Sequence, residues 1–418
     1  MSSNTIYRMG TANMYDNART NLSARQTTLS NLQENLTSGK RVVRASDDPV
    51  AAAQAERALT RLSRIQTEQR ALETQRNAVA QAESTLGDAI GVVQEMRQLI
   101  VNAGNGSLKP EDRKTIANQI QSLREQLSDM VNRKDTNGVP LLGALGSALA
   151  PFLGPLTSNP DYVFAGQPGQ NASTGVSVPL TLDGHAVFMF DPQRDGVYNA
   201  SVSTIPNSRT LTTDGIKPVN PGLVTGDNYQ IVFSAVGPGA TPGTTTATYT
   251  ITNTTTGVSS PPVTVPDFPS DKPVTIAVSG IPGLSFNITG TPDNGDTVSL
   301  QPSASMFSTL DSAIRDIGGA ANNNAATQAV GQALNNVDIG LERMHNMRGY
   351  AGELLNRADR ITGDQEKRSI QLEGDRSRAE DLDMIKGISD FQNAQVGYEA
   401  ALKSYAQVQR LSLFNFIS

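Results

Sequence analysis

Apolar residues recur at every seventh position along Ile65, Leu72, Val79, Leu86, Val93 and Ile100, with no proline between them. A repeat near 3.5 residues keeps all of these on one side of a helix, so the spacing predicts a long helix packed along a narrow seam. A partial second column, Ala82, Ala89 and Met96, adds small residues that allow close approach of other helices in a bundle. Gly104, Gly106 and Pro110 then interrupt the pattern, and Pro110 suits a first helical turn, with Glu111 and Asp112 at its positive end. Ile116, Ile120, Leu123, Leu127 and Met130 follow at alternating spacings of four and three, which predicts a second helix folded back as an antiparallel hairpin. Asp135-Thr136-Asn137-Gly138 supplies the turn after it.

No proline follows Pro302, and Val330, Leu334, Val337, Leu341 and Met344 repeat the four-three spacing, continued by Ala351, Leu355 and Ala358. A third long helix is expected there. Met384, Ile388, Phe391, Tyr398, Leu402 and Tyr405 extend its stripe as a distal part, and Leu411, Leu413 and Phe414 close the chain. At the opposite end Leu22, Leu29, Leu32 and Leu36 mark another amphipathic helical arm. Each such side chain returns about 1.5–3 kcal/mol when fully buried. Each ordered residue costs about 1–2 kcal/mol of backbone entropy. An arm this sparsely apolar is therefore expected to stay disordered until it packs on the other arm and on neighbouring copies.

Between the helical parts the pattern changes to period two. Tyr229-Gln230-Ile231-Val232-Phe233 and Thr248-Tyr249-Thr250-Ile251-Thr252 read as short antiparallel strands, and Asp183-Gly184, Asp195-Gly196, Asp214-Gly215 and Asn294-Gly295 read as hairpin turns. Composition agrees: 19 of the 22 prolines lie between Pro151 and Pro302, and no glutamate occurs between Glu125 and Glu342. The apolar stretch from Pro140 to Leu156 is broken by Pro151, Pro155 and glycines; it reads as a loop or short helix, and as a covered loop in preference to a new subunit contact. The fold class is thus α+β, a long-helix bundle or coiled coil built from both terminal parts with an inserted antiparallel β-rich domain. The expected boundaries are terminal arms at 1–45 with 380–418, a bundle at 46–140 with 303–379, and the insert at 141–302, split into β units near 160–205 and 220–302.

A formal net charge of −6 and 5% aromatic residues with no tryptophan argue against nucleic-acid binding, which needs a clustered basic surface. The absence of cysteine excludes disulfides and thiol chemistry. Met1 to Gly10 has no basic segment followed by an apolar run, so no cleaved secretory signal is expected, and no uncharged stretch is long enough for a membrane anchor. His185 and His345 stand far apart without metal-ligand spacing, and no phosphate loop, dinucleotide fingerprint or nucleophile elbow is present. No catalysis and no cofactor are expected. Asp48 before Pro49 reads as a helix cap and not as an acidic site, and Gly39 reads as a sharp break between arm and bundle.

The run Leu36-Thr37-Ser38-Gly39-Lys40-Arg41-Val42-Val43, followed by Ser46-Asp47-Asp48-Pro49-Val50-Ala51-Ala52-Ala53, resembles the flagellin and hook-associated protein group. Further matches are Asn105-Gly106-Ser107-Leu108, Asp112-Arg113, Tyr162-Val163-Phe164-Ala165-Gly166, Leu310-Asp311-Ser312-Ala313-Ile314 and Leu411-Ser412-Leu413-Phe414. Flagellin typically has Asp-Asp-Ala-Ala-Gly where this chain has Asp47-Asp48-Pro49-Val50-Ala51, so the resemblance is closest to the hook–filament junction members. Ala45 departs from the proline common there, and residues from about 200 to 300 are longer than the group's minimum.

The resemblance implies an extracellular, non-enzymatic subunit of the bacterial flagellum. It implies export through the flagellar type III apparatus with a chaperone on the C-terminal arm, and assembly as a homo-oligomeric ring between hook-associated protein 1 and flagellin. A filament-forming flagellin, or another secreted helical adhesin or translocator, are the alternatives. The assembly interface is expected at Leu22, Leu29, Leu32, Leu36, Ile388, Phe391, Tyr398, Leu402, Tyr405, Leu411, Leu413 and Phe414, with the seam residues above as bundle core.

Overall fold

The computed structural model describes residues 11–157, 160–204 and 210–417, and places side chains for 16–157, 160–204 and 210–407. The helices are α1 (Thr11–Ser38), α2 (Pro49–Ala103), α3 (Pro110–Val131), a short α4 (Gly184–Phe188), α5 (Met306–Gly318), α6 (Asn323–Glu380) and α7 (Met384–Ile417). The longer strands are β3 (Tyr198–Ser203), β6 (Tyr229–Pro238), β7 (Thr244–Asn253), β9 (Val263–Pro269), β10 (Val274–Val278), β11 (Leu284–Gly290) and β12 (Thr297–Pro302). Two-residue strands complete the set: β1 (Phe152–Leu153), β2 (Val163–Phe164), β4 (Thr212–Thr213), β5 (Lys217–Pro218) and β8 (Val258–Ser259). This is the expected α+β arrangement of long terminal helices around an antiparallel insert. The chain divides into two compact units, Met1–Arg70 with Thr362–Ser418 and Ala71–Ile361, and α2 and α6 each run through the division.

In the unit Ala71–Ile361 the sevenfold column becomes a sealed core. Leu72, Val79, Leu86, Val93 and Ile100 are buried together with Val337, Met344, Ala351 and Ala358 of α6. Arg97 Nε donates to Asp338 at 2.6 Å, Arg348 Nε to Glu83 at 2.7 Å and Arg76 Nε to Asp359 at 3.0 Å, rungs that fix α2 and α6 as antiparallel. Being exposed, these pairs select register more than they stabilise. Ile120, Leu127, Val330 and Leu341 are also buried, while Ile116, Leu123 and Leu334 pack against the same core half-buried. Pro110 opens α3 as the spacing predicts, and the Asp112 carboxylate accepts from Lys109 N at 3.1 Å to cap it.

The proline-free stretch after Pro302 is not one long helix with a distal part. It is three helices, because polar caps end what apolar spacing alone would continue. Gly319 N returns to Arg315 O at 2.9 Å to end α5, and Asn322 Oδ1 accepts from Ala325 N at 2.8 Å to start α6. Asp383 Oδ1 accepts from Ile385 N at 3.1 Å and Lys386 N at 3.2 Å to start α7.

In the insert β3, β12, β6, β7 and β8 form one sheet in that order, with β9 also on β7; β10, β11 and β4 form a second, with β5 also on β11. The period-two pattern puts Tyr229, Ile231 and Phe233, Ala247, Tyr249 and Ile251, and Phe286 and Ile288 of the two sheets into one core. Strands from both expected β stretches share the first sheet, since β3 pairs along its length with β12.

The Asp-Gly and Asn-Gly dipeptides do not close hairpins. Asp183 caps α4 through Ala186 N, Asp214-Gly215 joins β4 to β5, which both pair with β11, and Asn294-Gly295 leads into β12 on the other sheet. Such dipeptides mark where a carboxylate or amide caps a local turn, which does not determine the strand that pairs next. The hairpins found are β6 with β7, β7 with β8 and β10 with β11. The stretch from Pro140 to Leu156 is irregular apart from β1 and covered only in part: Leu141, Leu142, Ala144 and Phe152 are buried, with Phe152 edge-on to Phe164 at 5.1 Å, while Leu145, Leu149, Leu153 and Leu156 are exposed.

Candidate assembly interface

Within the unit Met1–Arg70 with Thr362–Ser418, two chain breaks form one joint. α1 ends at Ser38, and Gly39 takes φ +69, where a side chain is disfavoured by the backbone even though open space surrounds its β position. Leu382 N donates to Gly39 O at 2.9 Å, Arg41 N donates to Glu380 O at 2.7 Å, and Lys40 pairs with the Glu380 carboxylate. The break between α1 and α2 is thus hydrogen-bonded to the break between α6 and α7.

The segment between Gly39 and α2 is held by its own carboxylates. Asp47 Oδ2 accepts from Val43 N at 3.1 Å and Arg44 N at 2.8 Å. Asp48 Oδ1 accepts from Val50 N at 3.2 Å and Ala51 N at 3.0 Å, with Pro49 as the first residue of α2. The Ala51 N–H, then the Arg41 guanidinium, hold the Asp48 carboxyl below the ordinary carboxylate range. Asp48 and Pro49 therefore act as cap and first-turn proline.

Beyond the joint α1 and α7 lie side by side. Leu22, Leu29, Leu32 and Leu36 on α1 and Phe391, Tyr398 and Tyr405 on α7 are all half-buried. Small residues set the approach: a β-carbon at Gly387 would lie 3.2 Å from Leu36 Cδ2, and at Gly397 2.8 Å from Arg25 Nη1. Ile388 and Leu402 remain exposed, as do Ile385 at 84% and Val396 at 67%, two positions that the stripe did not single out. Leu411, Leu413 and Phe414 lie outside the residues whose side chains are described.

The quoted motifs in the unit Ala71–Ile361 come together in space. Tyr162 OH donates to Asp311 Oδ2 at 2.7 Å, Arg124 Nε donates to Asp311 Oδ1 at 2.8 Å, and Tyr162 stacks on Phe307 at 5.1 Å. Burial first, then this hydrogen bond, pushes the Tyr162 phenol upward, so it remains a neutral donor. Arg113 is buried against Asn323, whose Nδ2 donates to Gly106 O at 2.9 Å, which ties Asp112-Arg113 and Asn105-Gly106 to the start of α6. These are structural clamps.

One row of residues escaped the reading of the sequence. Gln328, Gln332 and Asn336 stand at i, i+4 and i+8 on α6 and are all buried. Gln328 Nε2 donates to Ala200 O at 3.1 Å, Asn336 Nδ2 to Tyr198 O at 2.9 Å, and Gln332 Nε2 to Asp214 O at 2.8 Å, while Gln328 Oε1 accepts from Thr213 N at 2.7 Å. Among the described residues β3 pairs only with β12, so these amides cover its open edge and hold the insert to the helix. Three amides spaced by four on an otherwise apolar face were the available signal.

Among the described residues no group of three or more His, Cys, Asp or Glu could hold a metal ion, and no helix is long and apolar enough to cross a membrane. Residues 9–145 match the bacterial flagellin N-terminal helical region. Flagellar hook-associated protein 3 of Salmonella typhimurium is 34% identical over 149 residues, 35% of this chain and 46% of that protein. The flagellar junction protein FlgL from Legionella pneumophila has a solved structure that superposes with a TM-score of 0.57 at 25% identity, covering 73% of this chain and 99% of that one. The similarity is to flagellar hook-associated protein 3, within the flagellin-like group. A second solved structure, hook-associated protein 3 from Legionella pneumophila, shares the fold with a TM-score of 0.61 at 24% identity, covering 76% of this chain and 97% of that one. The chain spans about half the length of the curated relatives it matches.

Proposed function

We propose that this chain is a structural, non-enzymatic subunit of the bacterial flagellum that works outside the cell as the adaptor between hook and filament. The observation that carries the reading is the likeness, at 25% identity, to a flagellar junction protein of which 99% is covered. In this reading the chain leaves the cell through the flagellar type III apparatus, with an export chaperone on the C-terminal arm. It then assembles as a ring of identical copies between hook-associated protein 1 and flagellin. The arms, 1–45 with 380–418, order on assembly, the bundle at 46–140 with 303–379 forms the body, and the insert at 141–302 faces outward. Support comes from the exposed apolar residues of α7 and from arm leucines that are only half-buried in one copy.

A strain lacking the chain should keep its hooks and lose its filaments in electron micrographs, and filaments attached as in the parent would reject the reading. The match to the flagellin helical region keeps a filament subunit as the second reading. Purified protein that grows long filaments by itself would favour that one. Gly39→Val, which forces a branched side chain into a positive φ, should be exported normally yet fail to restore motility. Normal swimming by that variant would remove the joint from the account.

A further inference from the structure

The helical unit Met1–Arg70 with Thr362–Ser418 carries a groove that the arm interface does not use. Arg57, Ala58 and Arg61 of α2 and Leu372, Arg378 and Ala379 of α6 line about 370 Å³ of it. Arg57 and Arg61 are exposed, one helical turn apart, and no carboxylate lies within ion-pair distance of either among the described residues. The groove's own acid, Asp375, is engaged by Arg378. Next to Arg57 and Arg61 the surface turns apolar around Ala53, with Glu56 at its edge, and Val50, 68% exposed and seven residues before Arg57, lies on the same side of α2. Cations flanked by exposed apolar side chains form a docking face of mixed character, unlike a solvated helix surface.

The charge distribution points to the occupant. The insert from 141 to 302 contains ten aspartates, no glutamate and four Lys or Arg, so it accounts for the whole net charge of −6 and leaves the helical parts neutral. Two of those aspartates, Asp267 and Asp271, are exposed on and just after β9, beside the exposed Lys272, with Thr241 and Thr244 the hydrogen-bond partners of Asp267. We propose that the groove at Arg57 and Arg61 receives the acidic insert surface at Asp267 and Asp271 of a second copy. Such a contact is head-to-tail, so successive copies extend a ring or a helical row, with no requirement for closure in pairs. Complementary charge sets the register of approach, and the apolar residues beside the arginines supply the burial.

The inference rests on the assembly reading above only in supposing that copies meet. Sedimentation velocity on the purified full chain tests it at low and high salt. Wild type should self-associate with rising concentration at low salt and return to monomer at high salt. Arg57→Glu with Arg61→Glu should weaken the association constant about tenfold or more, as should Asp267→Lys with Asp271→Lys, with helical circular dichroism unchanged. A mixture of the two variants should recover association, because each then offers the charge the other has lost. A chain that stays monomeric at low salt, reversed variants that associate like wild type, or a mixture that fails to recover would each overturn the proposal. Wild type that restores filaments to the deletion strain while failing this assay would sink the groove and leave the junction reading intact.

Discussion

The same two helices are packed in two different ways. In the unit Ala71–Ile361, α2 and α6 meet through Leu72, Val79, Leu86, Val93, Ile100, Val337 and Met344, all buried, with α3, α5 and aromatic residues of the insert closing the core around them. In the unit Met1–Arg70 with Thr362–Ser418 the separate core cluster is Val42, Ala51, Ala55 and Ala379. There α6 also buries Gln365 to 2% exposure with both amide atoms unpartnered. Large side chains remove more apolar area from water, at about 25 cal/mol per Å², so the first stretch is held by much the larger core, while in the second Leu62 and Ile65 are buried outside that small cluster. Continuous hydrogen bonding along a helix does not make its stability uniform. The weakly held unit is the one that carries the joint at Gly39, the half-buried arms and the arginine groove, and in the proposed assembly it is the one that gains most from contact with other copies.

The contrast can be tested by mutation, beginning with the largest effect. Leu86→Ala, in the sealed core, should destabilise the unit Ala71–Ile361 by about 3–5 kcal/mol, read from the urea midpoint. Leu62→Ala, in the other unit, should lower that midpoint much less, and equal losses would break the comparison. Gln332→Ala leaves Asp214 O without its side-chain donor, while Thr213 Oγ1 keeps Gln328 Nε2, and should cost about 1–3 kcal/mol, felt first as faster amide exchange in β4. Gln365→Leu should act with the opposite sign, slowing exchange in α2 around 62–70, which the register of the α2–α6 ion pairs places opposite it, by about 1–2 kcal/mol because it removes an unpaired buried amide. Destabilisation by that change would show that Gln365 has a partner in solution.

The smallest effect concerns pH. Because the Asp48 carboxyl is held below its ordinary value, its contribution to the start of α2 is complete at neutral pH and is lost only as pH falls through the lowered folded value. The Ala51 amide resonance should follow that transition in wild type and lose it in Asp48→Asn.

Much of this was legible in the sequence where a single period dominates. The column from Ile65 to Ile100 named the α2 face, and Asp48-Pro49 named its cap, because both signals are local. The separate α5 was missed because Gly318-Gly319 and Asn322 end and start helices through hydrogen bonds that an apolar count does not register. Hairpin pairing was missed for a related reason: Asp214 Oδ1 accepts from the backbone N–H of Asn287, far along the chain, at 2.6 Å. The amides of Gln328, Gln332 and Asn336 read as ordinary polar helix positions until the open edge of β3 lies beside them.

Amide hydrogen exchange on the purified monomer, resolved by segment, measures the central claim directly. Residues 79–100 and 337–358 should be protected to the level of global unfolding, while 16–38, 51–65 and 384–407 should exchange at least about a thousandfold faster. Protection of the arms and of 51–65 equal to that of the core would contradict the account.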